Sequence, residues 1–185
     1  MLTKTKKREP IFQNEKVEIF KIKDSPEYRE LIEKKDFAGL KKLAYFKSVK
    51  KNIVCLTGRT QICKVLAGET TISSKDTNAE TFPNVCAIGT DDTAHDENST
   101  ALFAEDFRKY ISSRESNNNK LIVLSHYLPE DCEGEYREEA IFMEADIDTA
   151  DDGVLLSVVA LDANEGNKTS SDGLIVERTF TLSIE

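Results

Sequence analysis

Hydrophobic and polar positions alternate most cleanly over residues 174–184, where Val176, Phe180, Leu182 and Ile184 face one way and Glu177, Thr179, Thr181 and Ser183 the other. A period of two is the mark of a strand with one buried face. Arg178 interrupts the inner row and, if buried, needs an acidic partner. Shorter β-prone runs lie at 70–73, 85–88, 110–113, 121–128, 140–145 and 154–161. Asn117-Asn118-Asn119 suits a hairpin turn, and Asp151-Asp152-Gly153 and Glu165-Gly166-Asn167 punctuate the later runs. Strands that follow one another without helical crossovers pair antiparallel, and two such sheets close on each other as a sandwich. The pattern predicts a mainly β fold, an antiparallel β-sandwich.

The first third reads differently. Ile11, Phe12, Val17, Ile19, Phe20 and Ile22 are apolar, and Val17 and Ile19 alternate with charged neighbours, as in an extended arm or an added strand. Ser25-Pro26-Glu27 is a helix start, with a hydroxyl N-cap, proline at the first helical position and an acid favourable to the dipole. That helix presents Tyr28, Leu31, Ile32 and Lys35, is interrupted at Asp36 and Gly39, and gives way to a second carrying Leu40, Leu43, Ala44 and Phe46. Residues 52–68 hold an apolar run, a break at Gly58-Arg59, then Ile62, Val65 and Leu66 at helical spacing, ended by Gly68. The expected organisation is a basic arm and helical segment over 1–51, with one to three short helices confined to the first third, and a sandwich domain over 52–185.

Charge sharpens that division. Residues 1–51 contain 15 Lys and Arg against 8 Asp and Glu, a balance of +7, whereas residues 52–185 contain 10 against 26, a balance of -16. A basic arm on an acidic body reads as an interaction tail. Its target is nucleic acid or the acidic body of another copy, and its apolar residues favour the second. Residues 1–10 are expected to be extended and ordered only by a partner. Ile11, Phe12, Val17, Ile19 and Phe20 are then the residues that find burial on a neighbouring subunit. No apolar run approaches the ~20 residues of a membrane span, and the lysine-rich start lacks the apolar core of a signal peptide, so the expectation is a soluble chain made in the cytoplasm, with no membrane partner.

Candidate chemistry is sparse. Cys55, Cys63, Cys86 and Cys132 contain no C-x-x-C pair, and the two histidines, His95 and His126, are far apart in sequence, which argues against structural zinc and for reduced thiols. Gly58-Arg59-Thr60 lacks the second glycine and the Lys-Ser/Thr pair of a phosphate loop. Asp91, Asp92 and Asp96 supply oxygens for a calcium ion but not at the ligand spacing of an EF-hand, and a solvated loop is the favoured reading. Pairing that loop with Glu105 as a glycosidase carboxylate couple finds no aromatic sugar platforms, and tryptophan is absent. No nucleophile stands out with a base beside it. Glu105 and Arg108, at a spacing of three, read instead as a partly buried brace joined by Arg59 and Glu138. No catalytic residue, cofactor or small-molecule substrate is expected.

The order of several short elements carries a resemblance: Asn52, Gly58-Arg59, Leu66 and Gly68, then Ile88–Thr90, Thr100–Arg108, Glu138–Phe142, Gly153–Ser157 and Thr179–Ile184. In that order they resemble tail-associated virion proteins of bacteriophages and related prophage particles, over residues 52–185. Asp91-Asp92 stands where the resemblance leads one to expect a second glycine after Gly89-Thr90. What it implies is a non-enzymatic adaptor that packs in a ring in a tail, baseplate or fibre-attachment region, with other copies and neighbouring virion proteins as partners. The alternatives are a host-surface or carbohydrate-binding module, a head or neck decoration protein of the same particle, and, less favoured, a protein whose arm contacts nucleic acid.

Overall fold

The computed structural model describes residues 12–67 and 83–182. In chain order they form β1 (Phe12–Lys23), α1 (Pro26–Glu33), α2 (Phe37–Lys42), β2 (Phe46–Lys51), β3 (Ile53–Val54), α3 (Leu56–Ala67), β4 (Pro83–Gly89), β5 (Glu105–Tyr110) and β6 (Ser113–Asn117). They continue with β7 (Lys120–Tyr127), β8 (Gly134–Glu135), β9 (Glu138–Met143), β10 (Val154–Ala160), α4 (Ala163–Gly166), β11 (Asn167–Lys168) and β12 (Asp172–Leu182). The fold is mainly β, as the alternation predicts. The run expected at 70–73, Gly68 and Ile184 lie outside the described residues, and the single helical turn α4 adds helix beyond the first third.

One five-stranded sheet has the order β2-β1-β12-β7-β6 and the other β3-β10-β9-β4-β5, every pair antiparallel. Both lateral edges are made by chain that passes from one sheet to the other: β2 into β3 through Asn52, and β5 into β6 through Ile111 and Ser112. Strands that switch sheets at the corners leave the sandwich closed along its sides.

Between the sheets lie Val17, Ile19, Val123, Val176 and Phe180 from one and Cys86, Ile88, Ile141, Met143 and Val159 from the other. The outer faces are covered too. Tyr28 of α1 and Leu40 of α2 close over Phe20, Ile22, Leu124 and Ile175, while Leu102 and Cys55 join Val85, Ala87, Ala140 and Phe142 on the far side. Strands covered on both faces lose the polar alternation, which is why β4 and β9 are buried at every position. Each fully buried aliphatic side chain contributes about 1.5–3 kcal/mol to this packing.

The helix-start reading of Ser25 is borne out: its hydroxyl accepts from the Tyr28 amide at 3.1 Å, with Pro26 beginning α1. Lys35 falls past the end of α1, and Asp36 caps α2 rather than breaking a helix. Gly58-Arg59 is not a break either. Both residues lie inside α3, and a Cβ on Gly58 would stand 2.5 Å from the Leu156 Cα, so the glycine lets the helix approach β10.

The basic arm is corrected by this topology. β1 hydrogen-bonds β12 on one side and β2 on the other, so residue 51 marks a change of charge but no structural boundary. Val17 and Ile19 are wholly buried against the opposite sheet, and Phe20 is buried beneath the helices, so none of the three is free to bury itself on a neighbouring subunit. Phe12 pairs through its backbone with Leu182, and Ile11 lies outside the described residues. Much of the positive charge is spent at home: Lys16 and Lys47 both meet Glu18, Lys41 meets Glu177, and Lys50 meets Glu165. The physical reason is that a strand apolar on alternate positions needs hydrogen-bonding neighbours, and β2 and β12 of the same chain supply them.

Candidate functional site

The ionisable residues singled out by the sequence gather on and behind the outer face of the second sheet, but in three separate groups rather than one network. Glu105 and Arg108 form the expected brace. In a regular strand residues three apart point to opposite faces, but a bulge between Ile88 and Gly89 pairs Gly89 with Glu105 and Ala87 with Arg108, so the two side chains turn the same way. Their contact is bidentate, Nε to Oε1 at 2.5 Å and Nη2 to Oε2 at 2.8 Å, with both side chains about 5% exposed or less. Arg108 also donates to the Asp146 carbonyl at 2.5 Å and lies over the Phe142 ring, while Glu105 accepts from the Asp151 amide at 3.3 Å. The pair therefore pins the 146–152 turn to the sheet.

Arg59 joins neither member. It meets Glu97 at 2.5 Å and, with the Leu56 amide donating to the Glu97 carbonyl, ties the start of α3 to the 90–104 loop. Glu138 forms the third group. Its Oε1 accepts from the Ala104 amide at 2.9 Å, its Oε2 from the Phe103 amide at 3.0 Å, and His95 Nε2 stands 2.6 Å from Oε2. Gly89 makes room: a Cβ there would collide with the Glu138 carboxylate. Burial pushes the Glu138 carboxyl up, but the His95 and amide hydrogen bonds outweigh it and hold the group below its ordinary range. An ionised carboxylate only accepts, so Nε2 donates to it, and in the neutral imidazole Nδ1 is then the acceptor. Ser99 Oγ lies 3.2 Å from that Nδ1.

The acidic loop is organised by its own backbone. Asp91 accepts from the Thr93 amide at 2.7 Å and Asp96 from the Asn98 amide at 2.8 Å. Asp91, Asp92 and Asp96 do not converge, and among the described residues no group of three or more His, Cys, Asp or Glu side chains is arranged to hold a metal ion.

Inside the sandwich, one step along β9 from Glu138, Glu139 faces the other way and pairs with Arg178, both wholly buried. Arg178 Nη2 also donates to the Glu139 carbonyl at 2.8 Å, and Tyr127 donates to Glu139 Oε1 at 3.2 Å. The acid partner that a buried Arg178 needs is thus supplied by Glu139. Burial raises the Glu139 carboxyl, and Arg178, Ser125 and Tyr127 recover only part of that. The sequence reading missed His95 and Ser99, four residues apart in a loop taken as solvated. The mark in the sequence is a histidine with a hydroxyl at i+4, in a stretch rich in acids.

Among the described residues no helix is long and apolar enough to cross a membrane. Comparison of the chain with protein-family models, with curated proteins and with solved structures finds no match.

Proposed function

We propose that the protein is a structural assembly module that presents stiff loops from a closed sandwich to other copies of itself and to neighbouring proteins. The observation that carries this reading is the use to which these charges are put: Glu105–Arg108 and Glu138 each fix a loop to the sheet, and Arg59–Glu97 ties the start of α3 to the 90–104 loop. Loops held in one conformation lose little entropy when a partner binds them. Phe103 and Leu56 stand half-exposed, Phe103 on the 90–104 loop and Leu56 at the α3 start whose amide meets it. Such residues serve as contact anchors at an interface.

The order of short elements from Asn52 to Ile184, similar to that of tail-associated virion proteins, supports a phage or prophage tail, baseplate or fibre-attachment region as the setting. The contacts then belong to the loops and not to a swapped arm. Mass spectrometry of purified particles, with copy number, tests the setting. Light scattering of the purified protein across a concentration series tests the assembly. A protein absent from particles and monomeric at every concentration overturns the reading.

A further inference from the structure

Ser99, His95 and Glu138 stand in one hydrogen-bonded line whose outer member is reachable and whose inner members are shielded. Ser99 is partly exposed, whereas the His95 and Glu138 side chains are each 1% exposed. With Nε2 donating to Glu138, the free lone pair of His95 is on Nδ1, and the Ser99 hydroxyl is the donor at 3.2 Å. That separation is within the reach of about 2.6–3.2 Å expected between a nucleophile and its base. The base is in turn oriented by a third group, since Glu138 is fixed by two backbone amides. The Asp96 amide donates to Ser99 Oγ at 3.2 Å, a contact worth more to a developing alkoxide than to a hydroxyl. Phe103, 52% exposed, stacks on the His95 ring at 4.5 Å with the planes 18° apart, setting an apolar plate over the base.

Bracing the loop requires Glu138 and its amides. It does not require an imidazole whose remaining acceptor faces a solvent-reachable serine. We propose that Ser99 is an activated nucleophile that takes an acyl group from an ester, with His95 as general base and Glu138 as the positioning residue. In the acylation step the Ser99 Oγ–carbon bond forms as the carbon–oxygen bond to the leaving alcohol breaks. The serine proton passes to His95 Nδ1 and then to the departing alkoxide. Water, deprotonated by the same nitrogen, attacks the acyl-serine, releases the carboxylic acid and restores the hydroxyl. The apolar plate of Phe103 selects esters with an apolar acyl chain. This chemistry goes beyond the assembly role and does not depend on it.

The test is an alkyl fluorophosphonate on the full chain, in which attack forms the Oγ–phosphorus bond and releases fluoride. We expect one adduct per chain by intact mass, mapped to Ser99, and none on heat-denatured protein. Ser99→Ala abolishes it, and His95→Gln and Glu138→Gln each slow it at least tenfold. Because the last two substitutions also touch the loop brace, a second reading is taken on the unaltered protein. Labelling slows in deuterium oxide if proton transfer to His95 is part of the step. No adduct on the folded protein, an adduct that survives Ser99→Ala, or a rate unchanged by both His95→Gln and deuterium oxide overturns the proposal. Light scattering of Ser99→Ala, which removes only a hydroxyl, keeps this outcome separate from that of the assembly reading.

Discussion

Glu138 and Glu139 are consecutive residues of one strand, both buried, and they behave in opposite ways. Strand alternation sends Glu138 to the outer face, where two backbone amides and an imidazole converge on its carboxylate and hold its pKa low. It sends Glu139 into the interior, where Arg178 is the main compensation and burial keeps the pKa raised. Residue type and solvent exposure are the same. What differs is depth: in the interior desolvation outweighs Arg178, Ser125 and Tyr127, whereas at the outer face His95 and the two amides outweigh it.

The largest effect expected from this contrast is at Arg178. Replacing it with alanine strands a charge in the interior and costs about 3–5 kcal/mol, while Arg178→Met combined with Glu139→Leu, which removes both charges, costs far less. Thermal melts of the two variants decide it, at about 2–4 °C per kcal/mol for a chain of this size. Equal losses would show that the pair is valued for its shape rather than its charge. Next comes Glu138→Gln, expected to cost about 1.5–3 kcal/mol because its hydrogen bonds are charge-assisted.

The acid limb separates the two glutamates further. A lowered native pKa means that the contribution of Glu138 is in place above the ordinary value of 4.5 and is lost as pH falls through the lower native value. A raised native pKa means that the native state retains the Glu139 proton above 4.5 when the unfolded chain has released it, so stability falls as pH rises through that window. Denaturant midpoints against pH should therefore lose their acid slope in Glu138→Gln and gain a steeper one in Glu139→Gln. The same direction of change in both would break the comparison.

Arg108→Ala is expected to cost about 1–3 kcal/mol, since it leaves Glu105 and the Asp146 carbonyl without their donor. A normal melting temperature in that variant would sink the brace. Glu97→Ala, at an exposed pair, should move stability by no more than about 1 kcal/mol. His126 offers a check on the other sheet. Burial, reinforced by Lys109, lowers its pKa to about 4, so the ring stays neutral and keeps the Tyr28 hydroxyl at 2.8 Å. The unfolded chain takes up that proton first, near the ordinary value of 6.5, so this contribution declines as pH falls from 6.5 towards 4. Imidazole NMR shifts followed through the same range report it.

These contrasts also mark what could be read from the chain beforehand. Alternation around Arg178 exposed both the strand and its need for an acid, because period and charge are local properties. The pairing of Glu105 with Arg108 is suggested by a spacing of three, which fits either one helical turn or a brace between strands, and a bulge in β5 is what brings the two side chains to one face. Glu138 was tied to the wrong partners because His95 lies 43 residues away and the amides of Phe103 and Ala104 carry no sequence mark. The arm was misread for the same reason at larger scale. Nothing near Val17 announces that its neighbour is Arg178, and a lysine count cannot tell a tail from a sheet whose cations meet acids brought by the fold.

The pairing of β1 with β12 has a further consequence, for the time course of folding. Phe12 is registered against Leu182, and β1 is the strand that joins β2 to the rest of its sheet. Until β12 has left the ribosome, β1 and β2 are a hairpin-like pair carrying α1 and α2, with Val17 and Ile19 uncovered. Contacts so distant in sequence make the search slow and leave apolar strand exposed during synthesis. Refolding from denaturant should accordingly be far slower than for a helical chain of equal length, and nascent chains stalled before Asp172 should be caught by chaperones that bind exposed apolar strands.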